Sequence, residues 1–377
     1  MGLIKLGTLI ELVELRNSEL LFDENDVRGI SNNKQIMPTK ADNEGRNLMN
    51  FYIVASGEFI YNSRTTRMGE KVGLGYNDTG MTIITSFNNT AFKIKDKAKD
   101  HILPEYLYIY YNRPEFDRYA RYNSWGSSTE LFLWDDMCDI EIDLPPLLIQ
   151  QKYVDVYKAM LANQRVYENG LEDLKLTCDA YIERLRREMP YTEIGEYIEQ
   201  SDERNTQNLS IDSVRGLSTS KEIIPTKANL DGVSLDSYKI MKPGQIAYVA
   251  DTSRRGEKIS LAFNNTNETY LVSSISTVFG TKTDKLLPAY LKMFFSRSEF
   301  DRYSRFHSWG SAREAFGWDD MKEVKIPIPD IKVQQSIVDI YTAYLTRREI
   351  NEKLKAQIKE ICPILIKGSI EEAEAVI

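Results

Sequence analysis

The chain has 377 residues and a mass of 43.5 kDa, more than one hydrophobic core usually organises, so two globular units are the first expectation. Hydrophobic residues at 42 % and charged residues at 28 % exclude a disordered tract, while a net charge of -8 and a pI near 5.2 exclude a uniformly basic nucleic-acid binder and leave room only for local basic patches. Three cysteines, Cys138, Cys178 and Cys362, lack the even count and paired spacing of a disulfide framework or a zinc site.

Taken in chain order, MGLIKLGTLIELVELRNSEL lacks the basic start and unbroken apolar stretch of a secretory signal, and no later window is apolar enough to span a bilayer. A cytoplasmic location is expected. Short apolar runs such as FYIVASGEFIY, punctuated by Gly, Asn and Pro, read as strands and turns, and GLGYNDTG from Gly73 reads as a turn between strands. LPEYLYIYYNRPEFDRYARY places aromatic and aliphatic residues at helical intervals, with Pro104 suited to a first helical turn. After LPPLLIQQKYV, residues Tyr153, Tyr157, Met160, Gln164, Tyr167, Leu171, Leu174, Cys178, Tyr181 and Leu185 alternate steps of four and three, a heptad seam on one long helix.

The second half repeats the first. EFDRYARYNSWGSSTELFLWDDM, Glu115 to Met137, matches EFDRYSRFHSWGSAREAFGWDDM, Glu299 to Met321, at a shift of 184 positions, and VRGIS, PTKA, RMGEK and LPEYL recur as VRGLS, PTKA, RRGEK and LPAYL. A second seam follows through Ile340, Tyr344, Arg347, Asn351, Leu354, Ile358, Ile361 and Leu365, with Pro363 expected to kink its end. The predicted fold is α+β: two similar domains, 1–147 and 190–331, related by pseudo-two-fold symmetry, and two long helices, 148–189 and 332–377 with the tail, packed as an antiparallel coiled coil. Polar Gln164, Arg347 and Asn351 on the seam would fix its register, contact another subunit or face solvent.

Catalytic chemistry finds little footing. Only His101 and His307 occur, both read as surface or loop residues, no phosphate-loop spacing is present, and the pairs Asp135/Asp136 and Asp319/Asp320 read as helix or turn caps rather than nuclease metal ligands. No metal site is expected.

Binding features are richer. YNSRTTRMGEK from Tyr61 offers Asn62, Arg64, Thr65, Thr66, Arg67 and Lys71, and its counterpart from Tyr248 offers Arg254, Arg255 and Lys258; guanidinium groups among small hydroxyl residues and glycine suit contacts in a DNA groove. Ser124 and Ser308, flanked by Arg121 and Arg305, could present hydroxyls to phosphates. The tracts SNNKQ and STSKE are further candidates, whereas Trp125, Trp309, Trp134 and Trp318 read first as core side chains.

FIYNSRTTRMG, the WDD-containing module ends, and the proline-then-Gln segments LPPLLIQQKYV and IPIPDIKVQQSIV, each before a long helix, make the chain resemble the specificity subunit of type I restriction-modification systems over nearly its full length. The second copy departs at AYVADTSRRG. The resemblance implies a non-catalytic subunit with two target-recognition domains, each reading half of a bipartite site in double-stranded DNA, and helices that set the spacer. It implies two modification subunits as partners, joined in the full complex by two restriction subunits. S-adenosylmethionine, ATP and Mg would be bound by those partners, none by this chain. Gln150, Gln151, Gln334 and Gln335 are then candidate partner contacts. Two other classes remain open on the residues alone: a duplicated scaffold binding protein or carbohydrate, and a stand-alone nuclease.

Overall fold

A computed structural model describes residues 2–39, 41–65, 71–206, 208–252, 258–281, 284–311 and 314–375. The chain forms two compact units, Met1–Tyr167 with Ile350–Ile377, and Glu168–Glu349. Both mix antiparallel sheet and helix.

In the first unit a four-stranded sheet runs in the order Ile10–Leu12, Thr90–Ile94, Phe59–Asn62, Gly73–Tyr76, with Ile60 opposite both Ala91 and Gly75. Gly73–Tyr76 is thus an edge strand where a turn was expected, and only Asn77–Gly80 beyond it turns, Gly80 at φ +75°. A Cβ on Gly75 would come within 2.6 Å of Ile36, so the glycine serves close packing rather than a phosphate. A hairpin pairs Arg28–Ile30 with Ile36–Pro38, and a separate antiparallel pair joins Tyr52–Val54 to Ile83–Thr85 across the intervening sheet strands.

One sheet face carries Phe59, Tyr61 and Phe92 onto helices α1 (Pro104–Tyr111) and α2 (Pro114–Tyr122) and the short α3 (Trp134–Cys138), through Leu107, Tyr111, Phe116, Phe132 and Met137. Proline opens α1 and α2, where a missing N–H costs nothing. The stretch with helical spacing forms two helices that part at Arg113, whose extended ψ of 143° is what a following proline requires. Helix α4 spans Leu147–Glu188.

The second unit repeats this plan. Its sheet order is Ile198–Ser201, Ser276–Thr281, Ile246–Val249, Ser260–Phe263, backed by α5 (Pro288–Phe295), α6 (Ser298–Phe306) and α7 (Trp318–Lys322). Ser298 replaces the proline of α2, yet Arg297 holds the same extended ψ of 149°, so the break belongs to the fold and the proline only favours it. Helix α8 runs Ile331–Ala375 as one continuous element with Pro363, the residue expected to kink its end, in its interior.

Each unit packs a part of α4 against a part of α8. In the first, Val154 and Tyr157 meet Ile358, Cys362, Leu365 and Ile366 under Tyr106 and Ile109 of α1. The direction is antiparallel: Lys152 pairs with Glu372 at 2.8 Å, while Gln164, further along α4, donates to Asn351, earlier on α8, also at 2.8 Å. In the second unit Ile182 and Leu185 share a core with Ile337 and Val338. Every seam position named from Tyr153 to Leu185 is buried or half-buried. Gln164 and Asn351 are 7 % and 2 % exposed, so of the three roles weighed for them, solvent exposure is excluded.

Candidate nucleic-acid interface

The basic segment leaves the sheet at Asn62, whose side-chain amide donates to Asn89 at 2.9 Å while its oxygen accepts from the Arg64 amide at 3.0 Å. It is then stitched to the chain after α2. Phe132 N donates to Ser63 O at 2.8 Å, and Thr65 N to Glu130 O at 3.1 Å. Arg64 stays exposed and Thr65 is buried. Thr66 and Arg67, like Arg254 and Arg255, lie outside the described residues. The second copy has the same stitches, Phe316 N to Ala250 O at 2.8 Å and Thr252 N to Glu314 O at 3.2 Å, with Asp251 in the place of Arg64.

The far foot of the segment is fixed by a buried ion pair. Asp117 of α2 accepts from Val72 N at 3.2 Å and pairs with Lys34, whose carbonyl in turn accepts from the Tyr108 hydroxyl at 2.6 Å. Asp301 accepts from Ile259 N at 3.2 Å and pairs with Lys221, which also donates to Ile259 O at 2.6 Å. Both lysines sit in left-handed turns, φ +59° and +65°, and burial pushes both ammonium pKa values down against the opposing pull of the aspartates. SNNKQ and STSKE are therefore corrected in part: their lysines anchor the fold, since a buried cation held by its aspartate has no reach toward a ligand. Lys71 is half-buried and Lys258 exposed beside these anchors.

The serine-tryptophan turn follows α2 and α6. Ser124 and Ser308 are each 7 % exposed, and their hydroxyls donate at 2.6 Å to Ala120 O and Ser304 O, closing the last helical turn. As phosphate donors they are corrected: the hydroxyl hydrogen is committed inside. Trp125 exchanges backbone hydrogen bonds with Leu131 at 3.2 and 3.0 Å, and Trp309 with Ala315 at 3.1 and 3.0 Å. Gly126 at φ +148° turns the chain where a Cβ would strike Thr129 O at 2.1 Å. The tryptophans divide. Trp134 and Trp318 pack on the cores, 5.5 Å from Phe92 and 5.3 Å from Phe279, as expected, but Trp125 and Trp309 point outward, 71 % and 66 % exposed, and are not core.

Arg121 and Arg305 pair with Glu130 and Glu314. Sequence reasoning missed Tyr122 and Phe306, 81 % and 77 % exposed at the helix ends. The signal was there: Phe116 and Ala120 mark the buried face of α2, and Tyr122, two residues on, falls on the other side.

Gln150 and Gln334 are fully buried and are corrected as partner contacts. Gln150 donates to His101 O at 2.7 Å and Pro145 O at 2.8 Å and accepts from Leu103 N at 2.9 Å; Gln334 does the same with Lys285 O, Pro329 O and Leu287 N at 2.6, 2.7 and 2.9 Å. Gln151 and Gln335 are exposed, each donating to an aspartate one turn ahead at 2.7 Å. Asp136 and Asp320 cap α3 and α7 by accepting from Leu133 N at 3.1 Å and Gly317 N at 2.9 Å. His307 packs at a tilt on Tyr303, ring centroids 4.2 Å apart, and burial raises the Cys362 thiol to about 12. Among the described residues no group of three His, Cys, Asp or Glu could hold a metal ion, and no helix is long and apolar enough to cross a membrane.

Residues 192–360 match the family model described as the type I restriction modification DNA specificity domain. The chain is 25 % identical over 143 residues to the type I restriction enzyme HindI specificity subunit of Haemophilus influenzae, a match covering 37 % of this chain and 31 % of that relative's length. Its fold is similar to the crystal structure of the type I restriction-modification system S subunit from M. genitalium, with a TM-score of 0.62 at 12 % identity over 98 % of this chain and 95 % of that one. The matched residues lie in the second half of the chain, and the sequence landmarks of that half recur in the first.

Proposed function

We propose that this chain is the DNA-binding specificity subunit of a type I restriction-modification complex, each unit reading one half of a bipartite double-stranded site. One observation carries the reading: the same surface, a basic segment stitched to a glycine-tryptophan turn and footed on a buried Lys–Asp pair, is built twice in one chain. Two rigid frames with different outward side chains suit a site with two halves. Asn62, Arg64, Thr66, Arg67 and Lys71 in the first unit, and Arg254, Arg255 and Lys258 in the second, supply the contacts to base edges and phosphates.

In this reading the long helices set the spacer and dock two modification subunits, with Gln151 and Gln335 on the exposed side of their first turns. Catalysis, and the S-adenosylmethionine, ATP and Mg it uses, reside in the modification and restriction subunits of a cytoplasmic complex. The test is titration of the purified chain with its modification subunit against genomic duplexes. A sequence-selective shift that weakens linearly in log salt, with methylation of one bipartite sequence, is the expected result. A chain that assembles with no such subunit and shifts no duplex is a scaffold, and metal-dependent cutting by the chain alone makes it a nuclease.

A further inference from the structure

We infer that Trp125 and Trp309, each with its helix-end neighbour Tyr122 or Phe306, are aromatic DNA contacts that hold the half-site against the frame without selecting its sequence. The inference rests on the function proposed above and adds residues to it. Aromatic side chains stabilise a fold by burial, and the nearby Phe132 and Phe316 are fully buried. Trp125, Trp309, Tyr122 and Phe306 forgo that gain at matching positions in both copies.

Their backbone is nevertheless held tightly. The paired hydrogen bonds to Leu131 and Ala315 and the capping serines, with Gly126 and Gly310 at φ +148° and +139°, fix the direction in which each indole leaves the chain. A side chain projected from a fixed backbone loses little entropy on binding, the arrangement a contact surface needs.

The occupant is set by what lies alongside. Leu131 bridges both Arg64 and Trp125, so an exposed guanidinium and an exposed indole share one short ladder. In the second unit Ala315 bridges Asp251 and Trp309, and exposed Lys258 lies next to the Asp301 anchor. Arg121 and Arg305 are answered by glutamates and the Trp309 indole N–H donates to Asp320 at 3.3 Å, so the exposed ring of the indole is the constant outward group of the turn. A duplex offers both complements at once: phosphates for the cations, and sugars, thymine methyls and base faces for the aromatic ring. Charge reverses between Arg64 and Asp251 while the indole stays, so position 64/251 varies with the half-site and the aromatic contact serves either.

The experiment uses the full chain with its modification subunit, as wild type, W125A and W309A. Duplex affinity, salt slope, assembly by size exclusion, thermal unfolding and the methylated sequence are read for each. Each substitution should weaken duplex binding about 5- to 100-fold, as loss of one aromatic–base contact does, and leave the salt slope unchanged because no charge is removed. Assembly, unfolding temperature and methylated sequence should not move. Unchanged affinity, a changed methylated sequence, or loss of the modification subunit overturns the inference, the last because the turn would then be a protein docking surface. A wild-type complex that shifts no duplex overturns the proposed function and this inference together, which separates the two failures.

Discussion

Substituting Gln150 tests whether the glutamine is a staple of the fold or a contact for a partner. Its side chain is fully buried and serves three backbone groups from two segments, Leu103 N and His101 O before α1 and Pro145 O before α4. Gln150→Leu keeps the bulk and strips all three. At about 1–3 kcal/mol for each buried group left unpaired, and with some of them relaxing toward water, the loss is about 3–6 kcal/mol. Gln150→Glu is more informative. Its carboxylate can still accept from Leu103 N but faces two carbonyl oxygens, so the folded state favours the protonated acid and raises its pKa above the unfolded value of about 4.3. A group with a raised folded pKa contributes stability that is present below the unfolded pKa and lost as pH rises through the folded one. The variant should therefore be most stable near pH 4 and lose up to about 1.4 kcal/mol per pH unit between the two pKa values, a slope absent from wild type. Urea unfolding from pH 4 to 8, followed by circular dichroism, reads this directly. Wild-type stability at pH 8 for the glutamate variant, or a flat pH profile relative to wild type, would refute the staple; unchanged stability with lost modification-subunit binding would restore the partner role.

Two more substitutions probe other buried polar groups. Asp117→Ala leaves the Lys34 ammonium and Val72 N without their partner and should cost about 3–5 kcal/mol in unfolding, with Asp301→Ala doing the same in the second unit; a cost under about 1 kcal/mol in urea titration would mean that the pair is solvated. Gln164→Leu strands the buried Asn351 amide and should cost about 1–3 kcal/mol, and adding Asn351→Leu should recover most of it, since two apolar residues can replace a buried polar pair; a double mutant as unstable as the single one rejects the pairing.

What the sequence discloses and what it conceals divide along the range of the interaction. The long helices are legible because a seam alternating by four and three is a local pattern, and proline at the first turn of α1 and α5 is likewise a local rule. The roles of Gln150 and Lys34 are not. Gln150 bonds backbone atoms 47 and 49 residues away, and Lys34 is buried by an aspartate 83 residues downstream, so a lysine among serine and asparagine reads as a solvated loop until the chain has folded. The tryptophans separate for a similar reason: Trp134 begins a helix that packs on the core, whereas Trp125 precedes a glycine whose left-handed turn carries the indole outward.

The duplication shows where these concealed groups matter. Gln150/Gln334, Asp117/Asp301, Lys34/Lys221, Ser124/Ser308 and Gly126/Gly310 are identical between the copies and, the glycines apart, each meets a buried polar need. Changing one of the polar residues removes a hydrogen bond or ion pair from a buried group, and a Cβ on Gly126 would strike the Thr129 carbonyl. The pairs that differ at the tip, Arg64/Asp251, Asn123/His307 and Tyr122/Phe306, stand at the exposed or half-exposed surface, where substitution usually costs within about 0.5 kcal/mol. Exchanging Arg64 for aspartate should therefore leave the unfolding curve in place, and under the proposed function its effect falls on duplex binding alone. A frame fixed by buried polar staples confines divergence to the outward positions, so the two copies can come to present different surfaces without either having to solve its folding again.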